Sequence, residues 1–193
     1  MKDLRNNYGR YKSVHYKNIR NTLKDLKLTV IGDYNPATFN LNDADFIDAL
    51  HPKTKAIKQT ANEKPLLGIC LGLQMLFDWS EENGGTDGLS IFEGTVNHFQ
   101  SNSLKVPHMG WNTVRQTKEH QLWEGINDNA RFYSVHSYYA NPSADVEVGS
   151  TNYGIDFCSA AARGNIFAVQ FHPEKSQRDG LKLLENFVNW QVN

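Results

Sequence analysis

Residues 65–74 read PLLGICLGLQ, an apolar run that leads into a cysteine between two glycines. The run from Pro65 to Cys70 has the length and composition of a strand buried on both faces, and Leu71 to Trp79 is long enough for a helix. The segment Gly68-Ile69-Cys70-Leu71-Gly72 therefore has the form glycine-x-nucleophile-x-glycine between a strand and a helix. This pattern predicts a nucleophile elbow, a strained turn that presents the cysteine side chain.

The elbow would also favour the reactive form of Cys70. Its sulfur would lie at a helix amino terminus, where the macrodipole and free N–H groups stabilise a thiolate. The backbone N–H of Leu71 would then donate to the oxyanion that develops on the attacked carbonyl. The alternative is a buried cysteine beside two turn glycines, and the pentapeptide alone does not separate the two interpretations.

A second segment, VQFHPEKS at residues 169–176, supplies a candidate base. In an extended chain residues two apart point to the same side, so His172 and Glu174 project together, with Pro173 between them. A carboxylate in that position orients the imidazole and stabilises its protonated form. Alone, the segment would more often be a solvated turn. With Cys70 it predicts a nucleophile, a base and an orienting carboxylate for thiol-based acyl transfer.

Composition sets limits on the rest. The 193 residues are 39% hydrophobic and 21% charged, which is typical of one globular domain, residues 1–193. Lys plus Arg number 20 against 21 Asp plus Glu, a balance that argues against nucleic-acid binding. No apolar run is long enough to span a bilayer, and the first residues lack the apolar core of a secretory signal. We therefore expect a cytoplasmic protein whose two cysteines stay reduced. No Cys/His spacing fits a zinc site, and we expect no metal and no cofactor.

The second half of the chain predicts a sheet that ends in a helix. The closing helix, Asp179 to Trp190, would bury Leu181, Leu184, Phe187 and Val188 on one face. Together with the strand and helix of the elbow, this order favours an α/β sheet packed on both faces. The predicted strands are Leu26 to Ile31, Pro65 to Cys70, Gly94 to Phe99, Trp111 to Val114, Phe132 to Ser137, Asp145 to Val148, Phe157 to Ala162 and Ile166 to Phe171.

Residues 65–74 and 172–174 resemble the corresponding motifs of class I glutamine amidotransferases. More narrowly, VPHMGWN at 106–112, VHSYY at 135–139 and QFHPEKS at 170–176 are similar to the glutaminase subunits of imidazole glycerol phosphate synthases. The resemblance covers about residues 64–190. It implies a flavodoxin-like α/β fold with three layers, in which helices cover both faces of a mixed sheet.

The resemblance also implies an activity and a set of roles. Glutamine would be hydrolysed to glutamate through a thioester on Cys70. The ammonia would pass through a channel to a (β/α)₈-barrel cyclase subunit, the partner in a heterodimer. That subunit forms imidazole glycerol phosphate and aminoimidazole carboxamide ribotide in histidine biosynthesis. The implied glutamine-binding residues are Gln74, Glu82, Ser137 and Tyr138, and the implied interface residues are His108, Trp111 and Lys175. Each also has an ordinary structural interpretation, as a polar helix residue or a core aromatic.

Residues 1–63 depart from the family, so we expect this part to be divergent or truncated, with amino-terminal strands missing. Family members carry a proline-glycine-valine-glycine loop that supplies a second oxyanion donor, and nothing in residues 27–64 matches it. Losing one such donor costs about a hundredfold to a thousandfold in rate. Three alternatives therefore stay open: an amidotransferase that feeds a sugar-modifying synthase, a catalytically impaired scaffold subunit, and a cysteine peptidase or other hydrolase.

Overall fold

The strands around Cys70 form the centre of a mixed sheet. The structure, a computed structural model, describes residues 29–31, 57, 59, 63–100, 104–143 and 145–191. Within these ranges the strands are β1 (Thr29–Ile31), β2 (Leu66–Ile69), β3 (Trp79–Ser80), β4 (Thr86–Asp87), β5 (Gly94–His98), β6 (His108–Gln116), β7 (Ala130–His136), β8 (Tyr138–Pro142), β9 (Glu147–Asn152), β10 (Asp156–Arg163) and β11 (Ile166–Val169). The helices are α1 (Leu71–Gln74) and α2 (Gln177–Val188), and 3₁₀ turns span Glu82–Gly84, Gln121–Trp123 and Pro173–Lys175.

The order of the described strands across the sheet is β1-β2-β11-β10-β8-β5-β3-β4. Strands β1, β2 and β11 run parallel, whereas β10 is antiparallel to β11 and to β8. Strand β9 pairs with β10 and with the end of β6, and β6 forms a long antiparallel pair with β7. The parallel strands β2 and β11 therefore place their carboxyl ends, which lead to Cys70 and His172, side by side.

The central strands are buried on both faces, as their continuous apolar sequences predict. Leu67 and Ile69 of β2 belong to one core cluster, together with Phe187 of α2. Leu66 belongs to the cluster on the opposite face, where Leu71 and Leu73 of α1 also pack. The α/β architecture with helices on both faces of a mixed sheet is thus confirmed.

The helix predicted for Leu71 to Trp79 is shorter than expected, and its prediction was wrong beyond Gln74. The carbonyl oxygens of Met75, Leu76 and Phe77 accept N–H groups from a returning loop at residues 89–92. Those carbonyls are therefore not available to continue the helix ladder, and Trp79 begins strand β3 instead.

The closing helix runs from Gln177 to Val188 and buries Leu183, Leu184 and Phe187. The prediction for Leu181 was wrong, because its side chain lies on the exposed side of the helix. Strand β8, Tyr138–Pro142, was not predicted, since its asparagine and proline are more typical of a turn. It pairs with β5 and β10 inside the sheet.

Among the described residues, no helix is long and apolar enough to cross a membrane. The predicted divergence of residues 1–63 and the missing oxyanion loop lie almost entirely outside the described residues. Of that part, the structure gives the backbone of β1, which extends the parallel sheet beside β2, and single positions near residue 60.

Candidate active site

Cys70 lies at a nucleophile elbow between β2 and α1. Its φ of 53° and ψ of −109° are strained for a residue with a side chain, as the motif predicted. The Cys70 N–H donates to the Val169 carbonyl at 2.8 Å, which ties the elbow to the end of β11. A Cβ on Gly68 would lie 2.7 Å from the Gly72 carbonyl oxygen and 2.9 Å from Ala168 Cβ. Glycine at position 68 is therefore required by close packing.

His172 and Glu174 form a buried pair next to Cys70. The Nδ1 atom of His172 lies 2.8 Å from Oε1 of Glu174, and both side chains are nearly excluded from solvent. Burial alone would lower the pKa of His172. Its interactions with Cys70 and with Glu174 outweigh burial and raise this pKa to about 9. The Nε2 atom of His172 makes no hydrogen bond within the described ranges, and catalytic hydrogen bonds are often long before substrate binds.

The base is held in place by the buried hydroxyl of Ser176. Ser176 Oγ donates to the His172 carbonyl at 2.6 Å and accepts the Tyr133 N–H at 2.9 Å. The His172 N–H in turn donates to the Tyr133 carbonyl at 2.8 Å. This network fixes the backbone of His172 against β7, so the imidazole position depends on the sheet rather than on a free loop.

Two glutamines connect Cys70 to strand β8. Gln170 Nε2 lies 3.7 Å from the Cys70 sulfur, and Gln74 Nε2 donates to Gln170 Oε1 at 3.0 Å. Gln74 Nε2 also donates to the Tyr138 carbonyl at 3.1 Å. The sulfur of Cys70 additionally lies 3.9 Å from the Val135 carbonyl. The nucleophile is therefore surrounded by hydrogen-bonding groups that come from three separate segments of the chain.

A buried histidine pair lies on the other side of Tyr138. His136 Nδ1 lies 2.7 Å from the Tyr138 carbonyl, and His136 Nε2 lies 3.0 Å from His108 Nδ1. Burial lowers the pKa of His108 to about 4. Burial is also the main reason that the pKa of His136 falls to about 3, although its bond to Tyr138 works in the opposite direction. Both rings are therefore neutral at physiological pH.

The other residues predicted to bind glutamine lie in the turn after β3 and where β7 passes into β8. Ser137 joins β7 to β8, and Tyr138 is the first residue of β8. The Ser137 carbonyl accepts the Phe99 N–H at 3.1 Å. Glu82 is buried in the 3₁₀ turn after β3, where its N–H bonds Ser80 Oγ. The Leu71 N–H has no hydrogen-bond partner within the described part of the chain, as an oxyanion donor requires. The binding roles of these residues stay predictions.

The three predicted interface residues differ in exposure. Trp111 is 37% exposed, and Met109, two positions before it, is 60% exposed. His108 is only 3% exposed, and its ring stacks on the Tyr153 ring with 4.0 Å between the ring centroids. Lys175 is half-buried in the 3₁₀ turn that contains Glu174. A cavity of about 470 Å³ opens beside Trp111, lined also by Arg131, Ser176, Gln177, Arg178 and Asp179. The buried His108 would therefore act on an interface only through its neighbours.

Sequence reasoning gave no role to Gln170, Ser176 or His136. The one feature of the sequence that could have indicated a role is their position in the segments QFHPEKS and VHSYY, next to residues whose roles were predicted. Their partners come from segments about 30 to 100 residues away, so position in the sequence could not reveal the contacts.

Solved structures with the same architecture include a glutamine amidotransferase from Thermotoga maritima. It aligns with a TM-score of 0.55 and 21% identity, covering 84% of this chain and 62% of that chain. The PurLQS structure from Thermotoga maritima aligns with a TM-score of 0.52 and 17% identity, covering 74% and 73%. At these identities the likeness supports the fold alone.

Sequence relatives are more similar. The imidazole glycerol phosphate synthase subunit HisH of Thermococcus kodakarensis is 55% identical over 147 residues, which cover 73% of this chain and 74% of that protein. The subunit of the same name from Acinetobacter baylyi is 50% identical over 141 residues, covering 72% and 69%. The family model for class-I glutamine amidotransferases matches residues 16–190. With the elbow cysteine, the buried His172–Glu174 pair and this match, the chain belongs to the class-I glutamine amidotransferases.

Proposed function

We propose that the chain is the glutaminase subunit of an imidazole glycerol phosphate synthase. It hydrolyses glutamine on Cys70 and supplies the ammonia to a cyclase subunit in histidine biosynthesis. The observation that carries the activity is the strained Cys70 at the end of β2 beside the His172–Glu174 pair. The choice of synthase rests on the two relatives that are at least 50% identical to this chain.

The reaction follows from the positions of these groups. His172, whose pKa is raised to about 9, holds the proton that the Cys70 thiol gives up, and the thiolate attacks the side-chain carbonyl carbon of glutamine. The carbonyl oxygen becomes an oxyanion that the Leu71 N–H stabilises. The tetrahedral intermediate collapses as His172 returns a proton to the leaving nitrogen, which releases ammonia and leaves a glutamyl thioester. A water molecule deprotonated by His172 then hydrolyses the thioester to glutamate and the free thiol.

Gln74 would offer bound glutamine a hydrogen-bond acceptor and not a donor. Its two N–H groups are directed to the Tyr138 carbonyl and to Gln170 Oε1. Only its Oε1 atom is therefore left for a ligand, so Gln74 would accept a hydrogen bond from an N–H of the bound glutamine rather than bind its carboxylate.

The partner is proposed to dock on the face around Trp111. Met109 and Trp111 are exposed apolar side chains two positions apart on β6, and a cavity with two arginines lies beside Trp111. Interfaces are enriched in tryptophan, methionine and arginine, which suits a stable subunit contact. The partner is a (β/α)₈-barrel cyclase, and the heterodimer is cytoplasmic.

The test is glutamate release by the purified chain, alone and with a cyclase subunit and its nucleotide ligand. We expect low activity alone, a rise with the liganded partner, and loss of activity in Cys70→Ala. Stimulation by a sugar-modifying synthase, and not by the cyclase, would select the alternative ammonia acceptor. If the chain releases no glutamate under any of these conditions but still binds the cyclase, the scaffold hypothesis replaces the proposal.

A further inference from the structure

Gln170 is a buried polar side chain in direct contact with the nucleophile. It follows strand β11, its N–H donates to the Ser159 carbonyl at 2.9 Å, and it is 1% exposed. A carboxamide that is completely buried needs partners for its N–H and carbonyl groups. Here one of those partners is the Cys70 sulfur, at 3.7 Å. The contact places an amide group beside the atom that attacks the substrate.

The orientation of this carboxamide follows from its neighbours. The Tyr138 carbonyl can only accept a hydrogen bond, so the Gln74 atom that contacts it must be the nitrogen Nε2. The same nitrogen donates to Gln170 at 3.0 Å, so the Gln170 atom facing it must be the oxygen Oε1. The Nε2 atom of Gln170 is then directed to the sulfur. These hydrogen bonds together fix the orientation of the Gln74 and Gln170 carboxamides.

The Tyr138 carbonyl is itself held in place. It also accepts from His136 Nδ1 at 2.7 Å, so two donors converge on one carbonyl oxygen. Strand β8 fixes the backbone at this point by pairing with β5, with Tyr138 opposite His98. The orientation of the Gln170 N–H toward Cys70 is therefore set by a backbone carbonyl that the sheet holds in place.

We propose that Gln170 is a catalytic residue that donates an N–H to the Cys70 thiolate, and that Gln74 positions it for this role. The inference rests on the proposed glutaminase reaction. An N–H donor stabilises the ionised sulfur relative to the neutral thiol, since hydrogen bonds to charged groups are the stronger ones. In a buried site this stabilisation is not shared with water. Gln170 would act on the sulfur in addition to His172, which holds the proton of the thiol in the proposed reaction.

The first experiment measures alkylation of Cys70 by iodoacetamide as a function of pH, with the full chain and without glutamine or partner. Peptide mapping by mass spectrometry separates Cys70 from the buried Cys158. Gln170→Met removes the donor and keeps the side-chain length. We expect its pH–rate profile to shift to higher pH by about one unit, the tenfold effect typical of a hydrogen bond to a charged group. Gln74→Met, which leaves Gln170 without its orienting partner, should shift the profile in the same direction by less.

The second experiment measures steady-state glutamate release with the cyclase partner. Gln170→Met should lower kcat about tenfold or more and change KM much less, because the proposed donor acts on the sulfur. A merely structural role would lower the unfolding midpoint and leave the alkylation profile in place. If Gln170→Met fails to fold, the same two measurements are made on Gln170→Asn. This variant keeps the amide but moves it away from the sulfur by one methylene.

The inference would be overturned if the alkylation profiles of both variants superimposed on the wild-type profile. Because alkylation needs neither glutamine turnover nor a partner, it can succeed if the proposed function fails. Likewise, a normal glutaminase with unshifted alkylation profiles would reject only the role of Gln170.

Discussion

The Nδ1 atom of His108 donates a hydrogen bond to the Nε2 atom of His136 over 3.0 Å in the interior of the protein. The direction of this bond follows from its ends. His136 Nδ1 contacts the Tyr138 carbonyl and so must carry a proton, and Asn112 Nδ2 contacts His108 Nε2 at 3.2 Å as a donor. Both rings are neutral in one tautomer. An added proton would bring two N–H groups into opposition at one of these contacts.

The histidine pair predicts destabilisation in acid. The folded-state pKa values of about 4 for His108 and about 3 for His136 are below the ordinary value of 6.5. The stability they contribute is present above pH 6.5 and lost as pH falls toward 4, because the unfolded chain binds these protons more readily. Urea unfolding of His136→Asn and His108→Asn should show a shallower loss of stability in this window than the wild type. Above pH 6.5 the slopes of the variants and the wild type should match.

His172 predicts the opposite behaviour at alkaline pH. Its folded-state pKa of about 9 is above the ordinary value of 6.5. Its contribution to stability is therefore fully present below pH 6.5 and is lost as pH rises to 9. The slope is at most about 1.4 kcal/mol per pH unit for one proton. Urea unfolding between pH 6.5 and 9 should show this decline in the wild type and a smaller one in His172→Gln. Parallel profiles for the two proteins would contradict the ionised pair.

Glu174 predicts a kinetic defect without loss of the fold. Replacing it by glutamine keeps the side-chain shape but presents the His172 Nδ1 atom with a neutral group that can hold the wrong tautomer. We expect kcat for glutamate release with the partner to fall by about a hundredfold to ten-thousandfold, as for an orienting carboxylate in other triads. Glu185→Gln is a matched control, since Glu185 is exposed and, among the described residues, its carboxylate bonds only Lys182 on the surface of α2. An unchanged kcat in Glu174→Gln would remove Glu174 from the triad.

Ser176 predicts a loss of stability that reaches the active site. Its replacement by alanine leaves the Tyr133 N–H without its partner at 2.9 Å, which costs about 1–3 kcal/mol in a buried position. Chemical denaturation should show this loss for Ser176→Ala and almost none for Ser143→Ala, because Ser143 is exposed. The same variant should lower kcat, since His172 is held through the same hydroxyl.

The elbow and the base could be predicted from sequence because their determinants are local. Gly68 and Cys70 lie within one pentapeptide, and only Pro173 lies between His172 and Glu174. The length of α1 could not be predicted, since its end depends on a loop that returns at residues 89–92. The orientation of Gln170 depends on the Tyr138 carbonyl, a backbone group of a strand that the local sequence did not indicate.

The hydrogen bond that joins the end of β2 to the end of β11 limits how the catalytic residues can move. The Cys70 N–H bonds the Val169 carbonyl, and His172 follows three residues after that carbonyl. Nucleophile and base cannot separate without breaking hydrogen bonds at the centre of the sheet. Amide hydrogen exchange at Cys70 should therefore require the same opening that exposes the innermost strands, and the catalytic centre belongs to the most slowly exchanging part of the molecule. Any motion that admits glutamine has to occur in the surrounding loops.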